Sequence, residues 1–120
     1  MATDAPDWTG NVSIVPFIQP VNTTYNLIAG GTQNLIPAGG TVSTSLLHLV
    51  IQQFDNSGAF VDLETTDGFL IFTYACKAQG FIDIPLYGLK VNSSAIVRVR
   101  NGSGVNMAAV DYITLFYVQA

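Results

Sequence analysis

Residues 41–77 read TVSTSLLHLVIQQFDNSGAFVDLETTDGFLIFTYACK. Three runs rich in Val, Ile, Leu, Thr, Phe and Tyr are separated by Asp55–Asn56–Ser57–Gly58 and by Thr66–Asp67–Gly68. β-Branched and aromatic side chains suit a pleated, half-buried surface. Asp followed shortly by Gly suits a tight reversal whose last residue is left-handed. The reading is three antiparallel strands in a meander, near Thr41–Phe54, Ala59–Glu64 and Phe69–Lys77. No apolar spacing of three and four residues persists long enough to specify a helix.

The same grammar extends in both directions. Further strands are expected near Val12–Ile18, Thr23–Ile28, Gly80–Leu86, Ala95–Arg100 and Ala109–Val118. NLIAGG at 26–31 is echoed by NLIPAGG at 34–40. That offset is too short for a solenoid repeat, so the pair reads as two glycine-punctuated turns around a short strand. The fold class expected is all-β: an antiparallel β-sandwich of about eight strands over residues 11–120, jelly-roll or immunoglobulin-like, preceded by a short N-terminal arm at residues 1–10.

The surface of such a sandwich would be unusual. Charged residues make up 10% of the 120 residues, against about 25% in a typical soluble protein, and mean hydropathy is +0.41. Several strands are apolar on both sides. Leu47, Leu49 and Ile51 alternate with Leu46, His48 and Val50; Ile113, Leu115 and Tyr117 alternate with Tyr112, Phe116 and Val118. A second sheet covers one face of each strand, and a neighbouring subunit is expected over much of the other, because large apolar patches on monomers mark contact sites. The expected interface residues are Trp8, His48, Arg98, Arg100, Tyr112 and Phe116. Trp8 stands in Asp4–Ala5–Pro6–Asp7–Trp8 and would anchor the arm to another protein.

Three of the four cationic side chains fall within PLYGLKVNSSAIVRVRNGSG, residues 85–104. Strand alternation sends Val97 and Val99 to one face and Arg98 and Arg100 to its reverse, a solvated or interfacial side. The net charge of −4 opposes approach to nucleic acid or to anionic lipid. No apolar run approaches the roughly 18 residues of a membrane helix, and MATDAPDWTG lacks the pattern of an export signal. Cys76 reads as a small core side chain.

Reactive constellations are missing from the pattern. His48 lies mid-strand between leucines, where a packed or interfacial role is expected. One His and one Cys cannot complete a zinc site. Asp62 and Glu64 share a strand face and Asp67 follows, but a calcium ion needs more oxygen ligands. No phosphate-binding, dinucleotide or nucleophile-elbow motif occurs, and the sequons at Asn11, Asn22, Asn92 and Asn101 are read as accidental. No metal, no cofactor and no enzymatic activity are expected. Trp8, Tyr25, Tyr87, Tyr112 and Tyr117 supply the remaining ligand hypothesis, stacking on sugar rings, against the plainer role of packing.

The stretch DGFLIFTYACKAQGFIDIPLYGLKVNSSAIVRVRNGSG, residues 67–104, together with VDYITLFYVQA, residues 110–120, resembles small β-sandwich domains in structural proteins of tailed bacteriophages. A Gly–Leu–x–Val turn, a strand of alternating valines, an Asn–x–Ser–Gly turn and a closing Val–x–Tyr strand carry the likeness. DAPDWTGNV, residues 4–12, is similar to segments that open some phage tail components. The resemblance implies a virion protein: a small multi-copy tail or capsid-decorating subunit that contacts other virion proteins and copies of itself, with no catalytic residue. The alternative is a carbohydrate- or host-receptor-binding module that takes a surface glycan.

Overall fold

The computed structural model describes residues 17–77 and 80–120. Eight strands follow in chain order: β1 (Gln19–Tyr25), β2 (Thr32–Ile36), β3 (Thr44–Gln53), β4 (Phe60–Thr65), β5 (Leu70–Ala75), β6 (Gly80–Val91), β7 (Val97–Asn101) and β8 (Asp111–Gln119). They form two four-stranded antiparallel sheets, ordered β1-β8-β3-β6 and β2-β7-β4-β5. Every connection except β4–β5 passes from one sheet to the other, which makes this sandwich a jelly roll rather than an immunoglobulin-like fold.

The short strand expected between the two glycine turns is β2. The strand expected at Val12–Ile18 falls mostly outside the described residues, as do the arm at 1–10 and Trp8; the first described strand instead begins at Gln19.

The meander is corrected in one place. Thr66–Asp67–Gly68 does close a hairpin between β4 and β5, with Gly68 at φ +92°. Asp55–Gly58 also contains a left-handed glycine, Gly58 at φ +87°, yet it carries the chain from one sheet to the other. Turn chemistry specifies a reversal but not the partner of the next strand. Here the Asp55 carboxylate accepts bonds from the Ser57 hydroxyl at 2.6 Å and from the N–H groups of Ala108 and Ala109 at 2.6 and 2.8 Å. The turn is thereby tied to the loop before β8 instead of to a β3–β4 ladder.

The face assignment of β3 is also corrected. Leu46 pairs with Tyr117 and His48 with Phe116, so Leu47 is an extra residue relative to β8. Such a bulge reverses the alternation. Leu46, Leu49 and Ile51 all point into the core, while His48, Val50 and Gln52 lie on the outer side. Opposite Leu47, β6 bulges too, through Leu86, Tyr87 and Gly88, with Tyr87 at φ +56° and 89% exposed. In β8 the expected division holds for Ile113, Leu115 and Tyr117 inside and for Tyr112 and Phe116 outside; Val118, expected with the latter, is buried.

Ile36, Leu46, Leu49, Ile51, Val61, Val97, Val99, Ile113 and Leu115 form the fully buried centre. Truncating one of the leucines to Ala would cost about 2–5 kcal/mol through lost burial and the cavity left behind. Cys76 is buried among them, as expected. One end of the sandwich is polar but closed. Asp111, fully buried, accepts bonds from the N–H groups of Phe54 and Asp55 at 2.7 and 2.9 Å and from the Tyr74 hydroxyl at 2.7 Å; Tyr25 in turn donates to Tyr74.

The edges of the first sheet are guarded. Its outer strands β1 and β6 contain Pro20 and Pro85, which occupy the same cross-sheet row beside Phe116 and His48. Proline has no N–H for a further ladder, so it blunts strand addition.

Candidate interaction faces

On the outer face of β2-β7-β4-β5, pairing of β4 with β7 sets Asp62 opposite Arg100 and Glu64 opposite Arg98. The Arg98 guanidinium reaches Glu64 through both Nε and Nη2 at 2.9 Å. Arg100 Nε donates to the other Glu64 oxygen at 3.1 Å, and its Nη2 lies 3.5 Å from Asp62. Thr73 on β5 donates to Asp62 at 2.8 Å. The arginines and the carboxylates, separate features in the sequence, are thus one intramolecular network. Glu64, 13% exposed, is its hub. Asp67 stands apart, accepting a bond from the Thr65 hydroxyl inside its own turn.

On the outer face of β1-β8-β3-β6 the registers build three rows. Pro20, Phe116, His48 and Pro85 make the first; Asn22, Thr114, Val50 and Asp83 the second; Thr24, Tyr112, Gln52 and Phe81 the third. His48 Nε2 bonds to Asp83, and the imidazole meets Phe116 edge-on with centroids 6.4 Å apart. Tyr112 meets Phe54 in the same manner at 5.5 Å. Around Thr114 and Val50 the face dips into a recess of about 270 Å³ lined by Asn22, Val50, Gln52, Tyr112 and Thr114.

Of the six residues expected at an interface, His48, Tyr112 and Phe116 share this face, Arg98 and Arg100 share the opposite one, and Trp8 lies outside the described residues. The recess was not legible because Asn22, Gln52 and Thr114 come from three strands; only their outward parity signals it.

The tyrosines divide by burial. Tyr25 and Tyr117 are core residues whose hydroxyls bond Tyr74 and Gln19, which corrects them as sugar-stacking candidates; Tyr87 and Tyr112 remain exposed. Burial, reinforced by neighbouring ionisable groups, raises the Tyr25 and Tyr74 hydroxyls far above the usual phenol range. Burial, then the Asp55 and Asp111 carboxylates, pushes the Cys76 thiol up to about 12, so it stays protonated and poorly nucleophilic near neutrality. Burial alone would raise the Asp55 carboxyl, but the Ser57 hydroxyl and the Ala108 and Ala109 amides outweigh it and hold the group below the ordinary carboxylate range. Among the described residues no three His, Cys, Asp or Glu side chains gather as a metal site.

No protein-family model and no curated protein matches the sequence. Solved structures do match in shape. A chain of the Helicobacter pylori bacteriophage KHP30 capsid superposes with a TM-score of 0.55 and 13% identity, covering 88% of this chain and 90% of that one. A chain of the cyanophage Pam1 capsid gives 0.50 and 8%, covering 87% and 84%. The likeness is one of fold. A Streptococcus pneumoniae fucose-binding module reaches 0.40 and 16% over 82% of this chain and 72% of that one, too distant in shape to bear on this molecule.

Proposed function

We propose that this chain is a structural subunit of a phage virion, present in several copies, decorating the capsid and acting through protein–protein contacts without a catalytic centre. The observation that carries the reading is the first row of the β1-β8-β3-β6 face: Phe116 and His48 flanked by Pro20 and Pro85, a largely apolar strip on a sheet whose two edge strands each carry a proline. A proline in each edge strand disfavours strand addition there, which favours contact through the face. Exposed Phe17 and Ile18, just before β1, add apolar surface to the same molecule. The fold is shared over nearly the whole chain with two phage capsid chains, which favours a place in the shell over one in the tail.

Burying a fully exposed Phe contributes roughly 1.5–3 kcal/mol, Phe116 is already half-buried, and ordering costs remove part of the remaining gain, so several copies of the strip must act together in a closed, symmetric assembly. Light scattering coupled to size exclusion tests this. A trimer or larger species is expected, collapsing to monomer in Phe116→Asp with unchanged circular dichroism. A wild-type chain that stays a 12.8 kDa monomer at every soluble concentration would overturn it.

A further inference from the structure

We propose that the recess over Thr114 and Val50 binds one neutral sugar ring. The site does not rest on the assembly reading, since it occupies the second and third rows of the face and leaves the Phe116 row free.

The recess has a simple origin. Val50 and Thr114 are short side chains on the two central strands, and they stand between a row carrying Phe116 and His48 and a row carrying Tyr112 and Gln52. At about 270 Å³ it falls just under the roughly 300 Å³ at which pockets for drug-sized ligands begin. One ring fits; an oligosaccharide would extend beyond it along the sheet.

Its chemistry selects the ligand. Four of the five lining residues are polar and none is charged. Asn22 and Gln52 each present an amide with two donors and an acceptor, and Thr114 and Tyr112 add hydroxyls. Thr114 Oγ1 already lies 3.3 Å from Asn22 Oδ1, which orients that amide with its N–H₂ outward. The Tyr112 ring, 45% exposed, is steadied by the edge contact with Phe54. An exposed aromatic face beside planar amides matches a pyranose, which offers an apolar C–H face and a rim of hydroxyls.

Other occupants fit less well. An anion finds no cation in the lining and meets a chain of net charge −4. A purely apolar side chain from a neighbour would cover the two amides without satisfying them, at a desolvation cost. One neutral ring in an open recess binds weakly, with a Kd on the order of millimolar, and repeated copies on one particle would raise the avidity.

The test uses the full chain labelled with ¹⁵N and titrated with methyl α-glucopyranoside, methyl α-galactopyranoside and methyl α-mannopyranoside, with N-acetylneuraminic acid as the anionic probe. At least one neutral glycoside should produce saturable shifts of the Asn22 and Gln52 side-chain amides and of the Tyr112 and Thr114 backbone amides, while the anion produces none. Tyr112→Ala should weaken binding at least tenfold, Tyr112→Phe no more than about threefold, and Thr114→Trp, which fills the dip, should abolish it. Phe116→Asp should bind sugar as the wild type does, which separates this proposal from the assembly reading. Saturable binding that survives Thr114→Trp, preference for the anion, or no saturable shift with any of the three glycosides overturns the site.

Discussion

The two outer faces of this sandwich solve the exposure problem in opposite ways. Over β2-β7-β4-β5, Asp62, Glu64, Arg98 and Arg100 neutralise one another within the chain. Over β1-β8-β3-β6, the middle strands instead carry Phe116, Val50, Thr114, Tyr112 and Gln52, and the only ion pair in its three rows is His48 with Asp83. The charged face still exposes Phe60 and Leu70 toward its β4-β5 side, so the contrast lies in the central strands, where one face pairs its charges within the chain. On the other face the central strands present aromatic, amide and apolar side chains, the surface on which both the proposed protein contact and the proposed sugar site rest.

The sharpest way to break that contrast is to put the same charge on each face. Phe116→Asp is expected to weaken association by roughly 30–100-fold, the equivalent of about 2–3 kcal/mol from the remaining apolar burial lost and from a charge set into the contact. Phe60→Asp, at a more exposed position on β4, should leave the mass measured by light scattering unchanged. Equal effects would erase the distinction between the faces.

Acid separates both faces from the closed polar end. The folded Asp55 carboxyl sits below its ordinary value, so its contribution is complete above the unfolded pKa near 3.9 and is lost as pH falls through the folded value. Thermal unfolding followed from pH 6 downward should therefore show a fall in Tm beginning near pH 4. Asp55→Asn should flatten that fall while lowering stability at pH 7 by about 1–3 kcal/mol, because well-placed amide donors lose their anion.

A smaller change is expected from the charged face itself. Glu64→Ala leaves Arg98 and Arg100 half-buried without their shared carboxylate. It should cost about 1–2 kcal/mol in urea unfolding, with association unaffected. Smallest of all is the response of Cys76 to a thiol reagent. With its thiol pushed up to about 12 and its side chain buried, the native protein should not react measurably at pH 8 and should react at once in denaturant. The same shift favours the folded state below the unfolded thiol pKa near 8.5 and withdraws that stability as pH climbs toward 12.

Alternation alone revealed much of this. It placed Val97 and Val99 inside with Arg98 and Arg100 outside, and it turned Tyr112 and Phe116 outward from Ile113 and Leu115. What it missed depends on pairing. The bulge at Leu47 moved Leu46 into the core, and no local signal announces a bulge. The Asp55 turn looked like a hairpin because its longest-range partners, the amides of Ala108 and Ala109, lie some fifty positions along the chain. For the same reason the arginines gave no hint of Asp62 and Glu64 until β4 and β7 were set side by side.

Asn101–Gly102 has a consequence for how long the protein lasts. An asparagine followed by glycine is ordinarily prone to spontaneous ring closure, in which the following backbone nitrogen attacks the side-chain amide. Here Asn101 is sealed from solvent, its NH₂ donates to the carbonyls of Leu27 and Val105, its carbonyl accepts from Ser103, and the Gly102 nitrogen is committed to Phe60. Both reacting atoms are held in other engagements, so the folded protein should age at other asparagines first, with Asn56 in its exposed turn the earliest among the described residues to deamidate.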